Sequence, residues 1–229
     1  MNIRELSIAM VEPAYSLNVG YVARVMKNFG LKKLIIVGNK RLGKTARVYA
    51  AHAKDIIDDC EFMSFDDLFV RYTFVVGTTA VAAKANNSLG GAVSPEKLAK
   101  LMRSPHDTVI VLGRDTIGLT SEELAKCDLV VTIHTGTDYS TLNISHALSI
   151  LLYVLNQQQK NQYTAYLRRK TRKVMLDYLT FLVEKSIVQP HKRHRILLTL
   201  KRLIDESNLR EEQVVSLIGF FRKLKLLID

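Results

Sequence analysis

The segment STLNISHALSILLYVL, residues 140–155, begins with small polar side chains and continues as an apolar helix. Its apolar positions are Leu148, Ile150, Leu151, Leu152, Val154 and Leu155. They cover too much of the helix circumference for a helix with one wet face, so we predict burial on most sides. The polar groups at the helix start then need hydrogen-bonding partners. Those partners are either the free N–H groups of the helix itself or a ligand.

Length and composition are those of a globular protein with one core of ordinary size and room for an appendage. The chain has 229 residues, of which 48% are hydrophobic and 24% are charged. No apolar run reaches the roughly 18–20 residues that span a bilayer, and residues 1–16 do not resemble a signal peptide. We therefore expect a cytoplasmic protein without membrane contact, in which Cys60 and Cys127 are reduced.

The positive charge is concentrated in the last third of the chain. Residues 1–159 hold 17 Lys and Arg against 15 Asp and Glu, whereas residues 160–229 hold 16 against 7. A one-sided basic surplus indicates a polyanionic partner, most simply a nucleic acid. The alternative is that these charges only solvate helix faces.

Before residue 159, short β-like runs alternate with helical patterns. Strands are predicted at 6–11, 33–38, 73–78, 108–113 and 129–134. Nearly continuous β-branched runs of this kind are typical of parallel strands covered on both faces. Helices are predicted at 17–30, after Ser94 with Pro95 as first residue, and after Thr120, which forms a capping box with Glu123. This order predicts an α/β domain with a parallel sheet. Residues 40–72 are ambiguous, with an Ala-rich helix followed by a short strand or a turn near DDCEFMSF, residues 58–65.

After Gln157 the β-like runs stop. A polar stretch at 156–162 is followed by three predicted helices, at about 163–187, 191–206 and 210–227. We therefore predict an α/β domain over 1–158 and a small, basic, all-α domain over 159–229.

Ligands of open parallel sheets bind beyond the carboxyl ends of the strands. The segments that follow four of the predicted strands here are EPAYSLNVG, TTA, GRDTIGLT and TGTDYSTLN. Small residues in three of these segments allow a ligand to approach the backbone closely. The absence of G-x-G-x-x-G and G-x-x-x-x-G-K-[ST] disfavours dinucleotide and P-loop sites. No His, Cys, Asp or Glu cluster has metal-ligand spacing, so we expect no catalytic metal.

Three motifs in this order resemble the signature motifs of the SpoU/TrmH class of the SPOUT superfamily, whose members are S-adenosylmethionine-dependent RNA ribose 2′-O-methyltransferases. They are NVGYVARVMKNFGL (18–31), VLGRDTIGLTSEEL (111–124) and YSTLNISHAL (139–148). The segment from Val11 onwards is most similar to the TrmJ branch, which modifies nucleotide 32 of the tRNA anticodon loop. The resemblance covers about residues 4–158. It implies a C-terminal trefoil knot and an obligate homodimer with active sites at the interface.

The same resemblance implies which residues form the site. The implied cofactor-binding residues are Thr78, Thr79, Gly113, Arg114, Gly118, Ile133, Thr141 and Leu142. The implied catalytic residues are Asn18, Arg24, Thr141 and Asn143. Arg24 matches a family arginine proposed as base or as orienter of the ribose and phosphate, and we favour orientation because a guanidinium is hard to deprotonate. The alternative for Arg24 is a surface salt bridge.

Plainer interpretations of the other residues stay open. Asn18 or Thr141 would serve only as a helix cap, and we expect His146 to be a buried, hydrogen-bonded histidine. Arg114 has two equal possibilities, either binding a phosphate or pairing with Glu12 across neighbouring loops.

The sequence departs from the family pattern at three positions. Asp115 stands where the family commonly has Glu, and Thr141 replaces a serine but keeps the hydroxyl. Val81 stands where the TrmJ branch commonly has an arginine, for which Lys84 is a possible substitute.

The basic clusters RRKTRK (168–173) and HKRHR (191–195) lie on predicted helices and are expected to contact tRNA phosphates. The candidate RNA-binding residues are Arg24, Lys84, Arg168, Arg169, Arg172, Lys192 and Arg193. Alternatively, the tail packs on the dimer and its charges are only solvated.

Together these patterns predict a homodimeric, metal-free tRNA ribose 2′-O-methyltransferase that uses S-adenosylmethionine. A ribosomal RNA substrate is the alternative within that class. A non-catalytic RNA-binding module of the same fold is the alternative from another class. A nucleotide-binding α/β enzyme would require tight binding of NAD or ATP.

Overall fold

A computed structural model describes residues 3–38, 42–81, 91–102, 104–157, 168–186, 189–206 and 209–228 of the chain. The chain divides into two units between residues 163 and 164. The boundary predicted at residue 158 lies outside the described residues.

The strands of the first unit join in one parallel sheet. Their bounds are β1 Ser7–Val11, β2 Lys33–Val37, β3 Glu61–Met63, β4 Phe74–Thr78, β5 Thr108–Leu112 and β6 Leu129–Val131. The spatial order is β3-β2-β1-β5-β4-β6, and each neighbouring pair is parallel. The predicted α/β domain with a parallel sheet is thus confirmed. β3 falls within the stretch that read ambiguously.

The central strands are covered on both faces. All five residues of β1 and all five of β5 are buried. The buried hydroxyl of Ser7 accepts a hydrogen bond of 2.9 Å from the hydroxyl of Tyr72, so it is not left unpaired in the core. Continuous burial explains why these strands are β-branched runs rather than alternating patterns.

Seven α-helices are described in the first unit. They are α1 Ser16–Asn28, α2 Lys44–Ala50, α3 Lys54–Asp58, α4 Phe65–Arg71, α5 Pro95–Leu101, α6 Ser121–Lys126 and α7 Ile144–Gln157. Ser94 accepts a hydrogen bond from the backbone of Lys97 at the start of α5, and Thr120 forms the predicted capping box with Glu123. α7 buries a row of leucines, but Ile150 and Tyr153 are exposed. The helix is therefore buried on most sides, as predicted, and one stripe of it is exposed.

The second unit is helical. Its three described helices are α8 Arg169–Ser186, α9 Pro190–Glu206 and α10 Glu211–Ile228, close to the predicted positions. Met175, Leu179, Ile204 and Val214 form its core cluster. The carboxylate of Glu211 accepts hydrogen bonds from the backbone N–H of Arg168, at 3.0 Å, and from the hydroxyl of Thr171. This contact ties the start of α10 to the start of α8.

Candidate active site

A cavity of about 470 Å³ lies at the carboxyl ends of β4, β5 and β6, beside the start of α1. The direction in which successive strands are added to the sheet changes next to this cavity, between β1 and β5. β1 pairs with β2 on one side and with β5 on the other. Ligands of open α/β sheets bind at such switch points. The volume falls within the roughly 300–1,000 Å³ typical of small-molecule sites.

Every residue predicted to bind the cofactor lines this one cavity. These residues are Thr78, Thr79, Gly113, Arg114, Gly118, Ile133, Thr141 and Leu142. Asn18 and Asn143 line it as well. The structure thus brings together residues that are up to 125 positions apart in the chain, while their role in binding stays a prediction.

Sequence reasoning missed several apolar residues of the lining. Leu112 and Val131 are the last residues of β5 and β6, and Ala147 and Leu151 lie in the first turns of α7. Their apolar character is also that of core residues, so composition alone does not distinguish them. Their positions at strand ends and at a helix start are the signal that identifies them.

Residues 113–118, which follow β5, form a tight turn, and all six line the cavity. Arg114 and Gly118 exchange two backbone hydrogen bonds, at 3.2 and 2.9 Å. A Cβ at Gly113 would lie 2.3 Å from the carbonyl carbon of Gly118, which is too close for any side chain. Gly118 itself has a φ of +70°, which favours glycine. Both glycines are therefore required by the geometry of this turn.

Asp115 joins this turn to the loop before α1. Its Oδ2 accepts hydrogen bonds from the backbone N–H groups of Ala14, at 2.9 Å, and Tyr15, at 3.1 Å. Its Oδ1 accepts one from Nδ2 of Asn18 at 2.6 Å. Hydrogen bonds to a carboxylate are among the stronger ones, so Asp115 fixes two loops relative to each other. The sequence marked Asp115 only as a departure from the usual Glu.

Asn18 and Asn143 continue this network to α7. Nδ2 of Asn143 donates to Oδ1 of Asn18 at 3.3 Å. Oδ1 of Asn143 accepts from the backbone N–H and the hydroxyl of Ser145, at 2.9 and 2.8 Å. Asn143 therefore caps the start of α7, where Thr141 was an open candidate. We call the linked side chains of Asp115, Asn18, Asn143 and Ser145 the amide network.

Asn18 does not act as a helix cap. It is the third residue of α1, whose N-cap is Tyr15 with no side-chain hydrogen bond. The side chain of Asn18 is buried, and its amide is paired with Asp115 on one side and Asn143 on the other. The capping interpretation of Asn18 is therefore wrong, and its amide is available to define the cavity wall.

The end of β4 is also fixed by hydrogen bonds. The hydroxyl of Thr78 donates to the carbonyl of Val111 at 2.9 Å, and the N–H of Thr79 donates to the carbonyl of Val131 at 3.0 Å. The side chain of Thr78 and the backbone of Thr79 thus hold the end of β4 against its neighbours, and both residues line the cavity.

Two carboxylates hold the guanidinium of Arg114. Its Nε donates to Glu12 at 2.8 Å, and its two terminal nitrogens donate to Glu123 at 2.9 and 3.0 Å. These hydrogen bonds, mainly the ones that Glu123 accepts and then the one that Glu12 accepts, raise the pKa of Arg114. Burial acts to raise the pKa of Glu123, but hydrogen bonds from Arg114 and from the backbone of Thr120 outweigh it, and the pKa is lowered. Of the two possibilities for Arg114, the structure shows the pairing with Glu12.

Arg24 and His146 do not line the cavity of the same chain. Arg24 is exposed on α1 and forms no ion pair with any residue the structure describes, so the salt-bridge alternative is not observed. Lys84 lies outside the described residues. His146 is exposed, so the prediction that it is buried is wrong.

The basic candidates of the helical unit differ in exposure. Arg168 and Lys192 are exposed, whereas Arg169, Arg172 and Arg193 are half-buried. Exposed cations are the ones that meet a polyanion without rearrangement.

Three further features bear on chemistry and location. Within the ranges given above, no three His, Cys, Asp or Glu side chains are arranged to hold a metal ion. None of the described helices is both long and apolar enough to cross a membrane. Cys60 and Cys127 are both free thiols.

Comparison with known proteins gives this fold and cavity a class, that of RNA 2′-O-methyltransferases. The SpoU rRNA Methylase family matches residues 5–153, which include all residues of the amide network and of the cavity. The chain therefore belongs to the SpoU rRNA methylase family, and the resemblance carried by the three motifs is confirmed.

Individual relatives extend over nearly the whole chain. The tRNA (cytidine-2′-O-)-methyltransferase TrmJ of Methanocaldococcus jannaschii is 31% identical over 226 residues, which are 95% of this chain and 98% of the relative. The structure of a probable methylase family protein from Haemophilus influenzae has a TM-score of 0.71 at 28% identity, covering 99% of this chain and 98% of that one. The SpoU methyltransferase AviRb of Streptomyces viridochromogenes, solved with the cofactor AdoMet, shares the fold at a TM-score of 0.53 and 17% identity, covering 67% and 60%.

Proposed function

We propose that this protein is an S-adenosylmethionine-dependent tRNA ribose 2′-O-methyltransferase whose target is nucleotide 32 of the anticodon loop. The observation that carries the proposal is the amide network, which joins three loops around the cavity in a member of the SpoU family. Similarity to the TrmJ enzyme of M. jannaschii along the whole chain supports tRNA as the substrate.

The cavity fits S-adenosylmethionine in size and in lining. At Gly113 a Cβ has no room, so the turn 113–118 presents bare backbone to a ligand. Thr78 and Thr141 add hydroxyls beside an apolar floor that includes Leu112 and Leu151, a mixture suited to a partly apolar ligand with polar ends. The bound cofactor supplies an electrophilic methyl group. The residues that would hold it are Thr78, Thr79, Gly113, Arg114, Gly118, Ile133, Thr141 and Leu142.

The amide network positions the reacting groups. The amide of Asn18 cannot turn without breaking its hydrogen bond to Asp115. The amide of Asn143 cannot turn without breaking its hydrogen bonds with Ser145. Fixed polar groups of this kind hold the ribose hydroxyl in line with little reorganisation. In this proposal the side chains act by positioning the hydroxyl, and no metal ion takes part.

Arg24 orients the ribose and its phosphate. A guanidinium stays protonated and presents several donors to a phosphate. Because Arg24 is exposed and does not line the cavity of its own chain, we propose that it acts at the cavity of a second copy in a homodimer. The dimer and a C-terminal trefoil knot are both implied by the family resemblance and form part of the proposal, as does a cytoplasmic location. The basic domain over 159–229 adds phosphate contacts through Arg168 and Lys192.

The experiment is methyl transfer from labelled S-adenosylmethionine to purified tRNA, followed by mapping of the methylated ribose. We expect transfer to one anticodon-loop position. Arg24→Ala should lower the rate by about 10²-fold, as expected for loss of an orienting group, with cofactor affinity unchanged. Asn28→Ala changes another exposed residue of α1 and should keep full activity.

Complementation tests the dimer. Arg24→Ala and Asn18→Ala should each transfer methyl groups slowly when expressed alone. Co-expressed, they should recover activity, because a mixed dimer then has one cavity with an intact Asn18 and an intact Arg24 from the other copy. No recovery in mixed dimers would place Arg24 in its own subunit's site. Transfer to ribosomal RNA only, or cofactor binding without transfer to any RNA, would favour one of the two alternative functions.

A further inference from the structure

Tyr139 is an exposed aromatic residue that directly precedes two cavity-lining residues in the chain. Its side chain is 83% exposed, yet the next residues along the chain, Ser140 and Thr141, line the cavity. The ring of Tyr139 has no hydrogen bond or ring contact with any residue the structure describes. Isolated exposed apolar side chains are ordinary, but Tyr139 also has a braced backbone and exposed apolar neighbours at the cavity.

The loop that carries Tyr139 is braced by its own side chains. The hydroxyl of Thr137 donates to the carbonyl of Tyr139 at 3.1 Å, and the hydroxyls of Thr135 and Thr137 lie 3.5 Å apart. Gly136 supplies the φ of +73° that starts the turn. These bonds hold the backbone of Tyr139 and leave its ring free, as expected for a residue whose contact is made with another molecule.

Two other large apolar side chains at the cavity are also exposed. Ile117 is 61% exposed and Val81 is 46% exposed, and both line the cavity. We call Val81, Ile117 and Tyr139 the rim. Val81, Ile117 and Tyr139 follow β4, β5 and β6 in the chain, and the first two line the cavity. Because these neighbouring parallel strands end at the same edge of the sheet, we place the ring of Tyr139 near the same cavity mouth.

A nucleobase fits such a rim better than a charged or purely aliphatic group does. Unpaired bases stack on exposed aromatic side chains, and every base offers a flat face whatever its polar edge. A ribose hydroxyl that reaches the methyl donor brings its own base with it, one glycosidic bond away. That base therefore arrives at the cavity mouth.

We infer that Tyr139 stacks on the base of the nucleotide whose ribose is methylated. The inference rests on the proposed function and deepens it, because it predicts that the target nucleotide is held unpaired. Stacking of this kind is tolerant of base identity. Tyr139 therefore adds affinity for the unpaired nucleotide and does not make the enzyme specific for one base.

The first test is a set of variants assayed for tRNA methylation. Tyr139→Ala should raise the KM for tRNA about tenfold, which is within the range for loss of one aromatic–base stack. The Kd for S-adenosylmethionine should not change, and Tyr139→Phe should retain the wild-type KM because it keeps the ring. Phe62→Ala is the matched control, since Phe62 is a half-exposed aromatic on the edge strand β3.

The second test reports stacking directly and does not depend on catalysis. The chain contains no tryptophan, so Tyr139→Trp introduces a single fluorophore. Its emission should be quenched when tRNA is added and should not change with S-adenosylmethionine alone. Phe62→Trp should show no quenching with tRNA.

Several outcomes would overturn the inference. An unchanged KM in Tyr139→Ala, or an introduced tryptophan that tRNA does not quench, would remove the base contact. A weakened dimer in Tyr139→Ala, measured by sedimentation, would show that a second copy covers the ring instead. Failure of the proposed function looks different, because the wild-type chain would then transfer no methyl group while the fluorescence test still reports whether a base stacks.

Discussion

The two units of the chain differ in how firmly their side chains are held. In the α/β unit the central strands are wholly buried, and the cavity rests on that sheet. In the helical unit the core cluster is small, and Phe220, Leu226 and Leu227 are exposed. The positive charge, in contrast, is concentrated in the helical unit, because residues 160–229 hold most of the surplus of Lys and Arg over Asp and Glu. A rigid sheet suits a site that needs fixed geometry, whereas a basic helical unit suits attraction that acts over a Debye length.

The largest expected effect comes from adding one methyl group to the α/β unit. Gly113→Ala places a Cβ 2.3 Å from the backbone of Gly118. Since the obstacle is backbone, the turn 113–118 must move, and the cavity with it. We expect the Kd for S-adenosylmethionine to rise by tenfold or more, which is about 1.4 kcal/mol or more of binding free energy. Isothermal titration calorimetry measures this change.

The helical unit provides the first check on that result. Helix α8 to helix α10 should keep their helical content in Gly113→Ala, because the substitution is confined to the other unit. Wild-type affinity in the variant would show that the turn yields easily and that the α/β unit is less rigid than its burial indicates.

The second prediction concerns the partly buried ion pair of the α/β unit. The pKa of Glu123 is lowered in the fold, so its charged form stabilises the protein above its ordinary pKa of 4.5. That contribution is lost as the pH falls through the lower, folded value. Glu123→Gln should lower the free energy of unfolding at neutral pH by about 1.5–3 kcal/mol, the range for hydrogen bonds to charged groups. It should also flatten the loss of stability below pH 4.5.

The matched control is an exposed pair in the same unit. Glu61 pairs with Arg71 at the surface, with 49% and 42% of the two side chains exposed. Glu61→Gln should cost roughly 0–1 kcal/mol, as exposed pairs do. Equal losses in chemical denaturation of the two variants would argue that burial gives the Arg114–Glu123 pair no special weight.

The sequence predicted five of the six strands clearly and left only the short edge strand β3 ambiguous. Buried parallel strands are apolar on both faces, so β1, β2, β4, β5 and β6 appear as continuous runs. β3 has only three residues, of which Glu61 and Phe62 are exposed. It therefore carries no apolar run that marks a strand. The exposed face of α7 was missed for a related reason, because its apolar residues surround the helix and do not show which face lacks a neighbour.

The sequence predicted the site residues that lie within short motifs. It did not predict contacts between residues that are far apart in the chain. The cofactor residues follow strand ends within short motifs, so the motifs locate them. The partners of Asp115 are the backbone N–H groups of Ala14 and Tyr15, about 100 positions away. Backbone donors leave no trace in the side-chain pattern. Only the fold shows that Asp115 holds the loop before α1.

The third prediction concerns the exposed cations of the helical unit. Replacing the exposed Arg168 and Lys192 with Gln should raise the KM for tRNA several-fold and leave the Kd for S-adenosylmethionine unchanged. The slope of log KM against log salt should fall by roughly 0.7–0.9 for each phosphate contact removed. Lys54→Gln, an exposed lysine of the α/β unit, is the control. An unchanged slope in the double variant would mean that the basic charges are only solvated.

The smallest expected effect is the counterpart of the first. Gly219 lies within α10, and a Cβ there meets no atom within 4 Å. Glycine destabilises a helix interior relative to alanine, so Gly219→Ala should stabilise the helical unit by about 0.5–1 kcal/mol. Thermal unfolding followed by circular dichroism should show a small rise in the transition of this unit, and cofactor affinity should stay as in the wild type. The same change of residue type thus disrupts one unit and strengthens the other, because Gly113 is hemmed in by backbone and Gly219 faces open space. A loss of stability in Gly219→Ala would indicate that another surface covers α10 at this point.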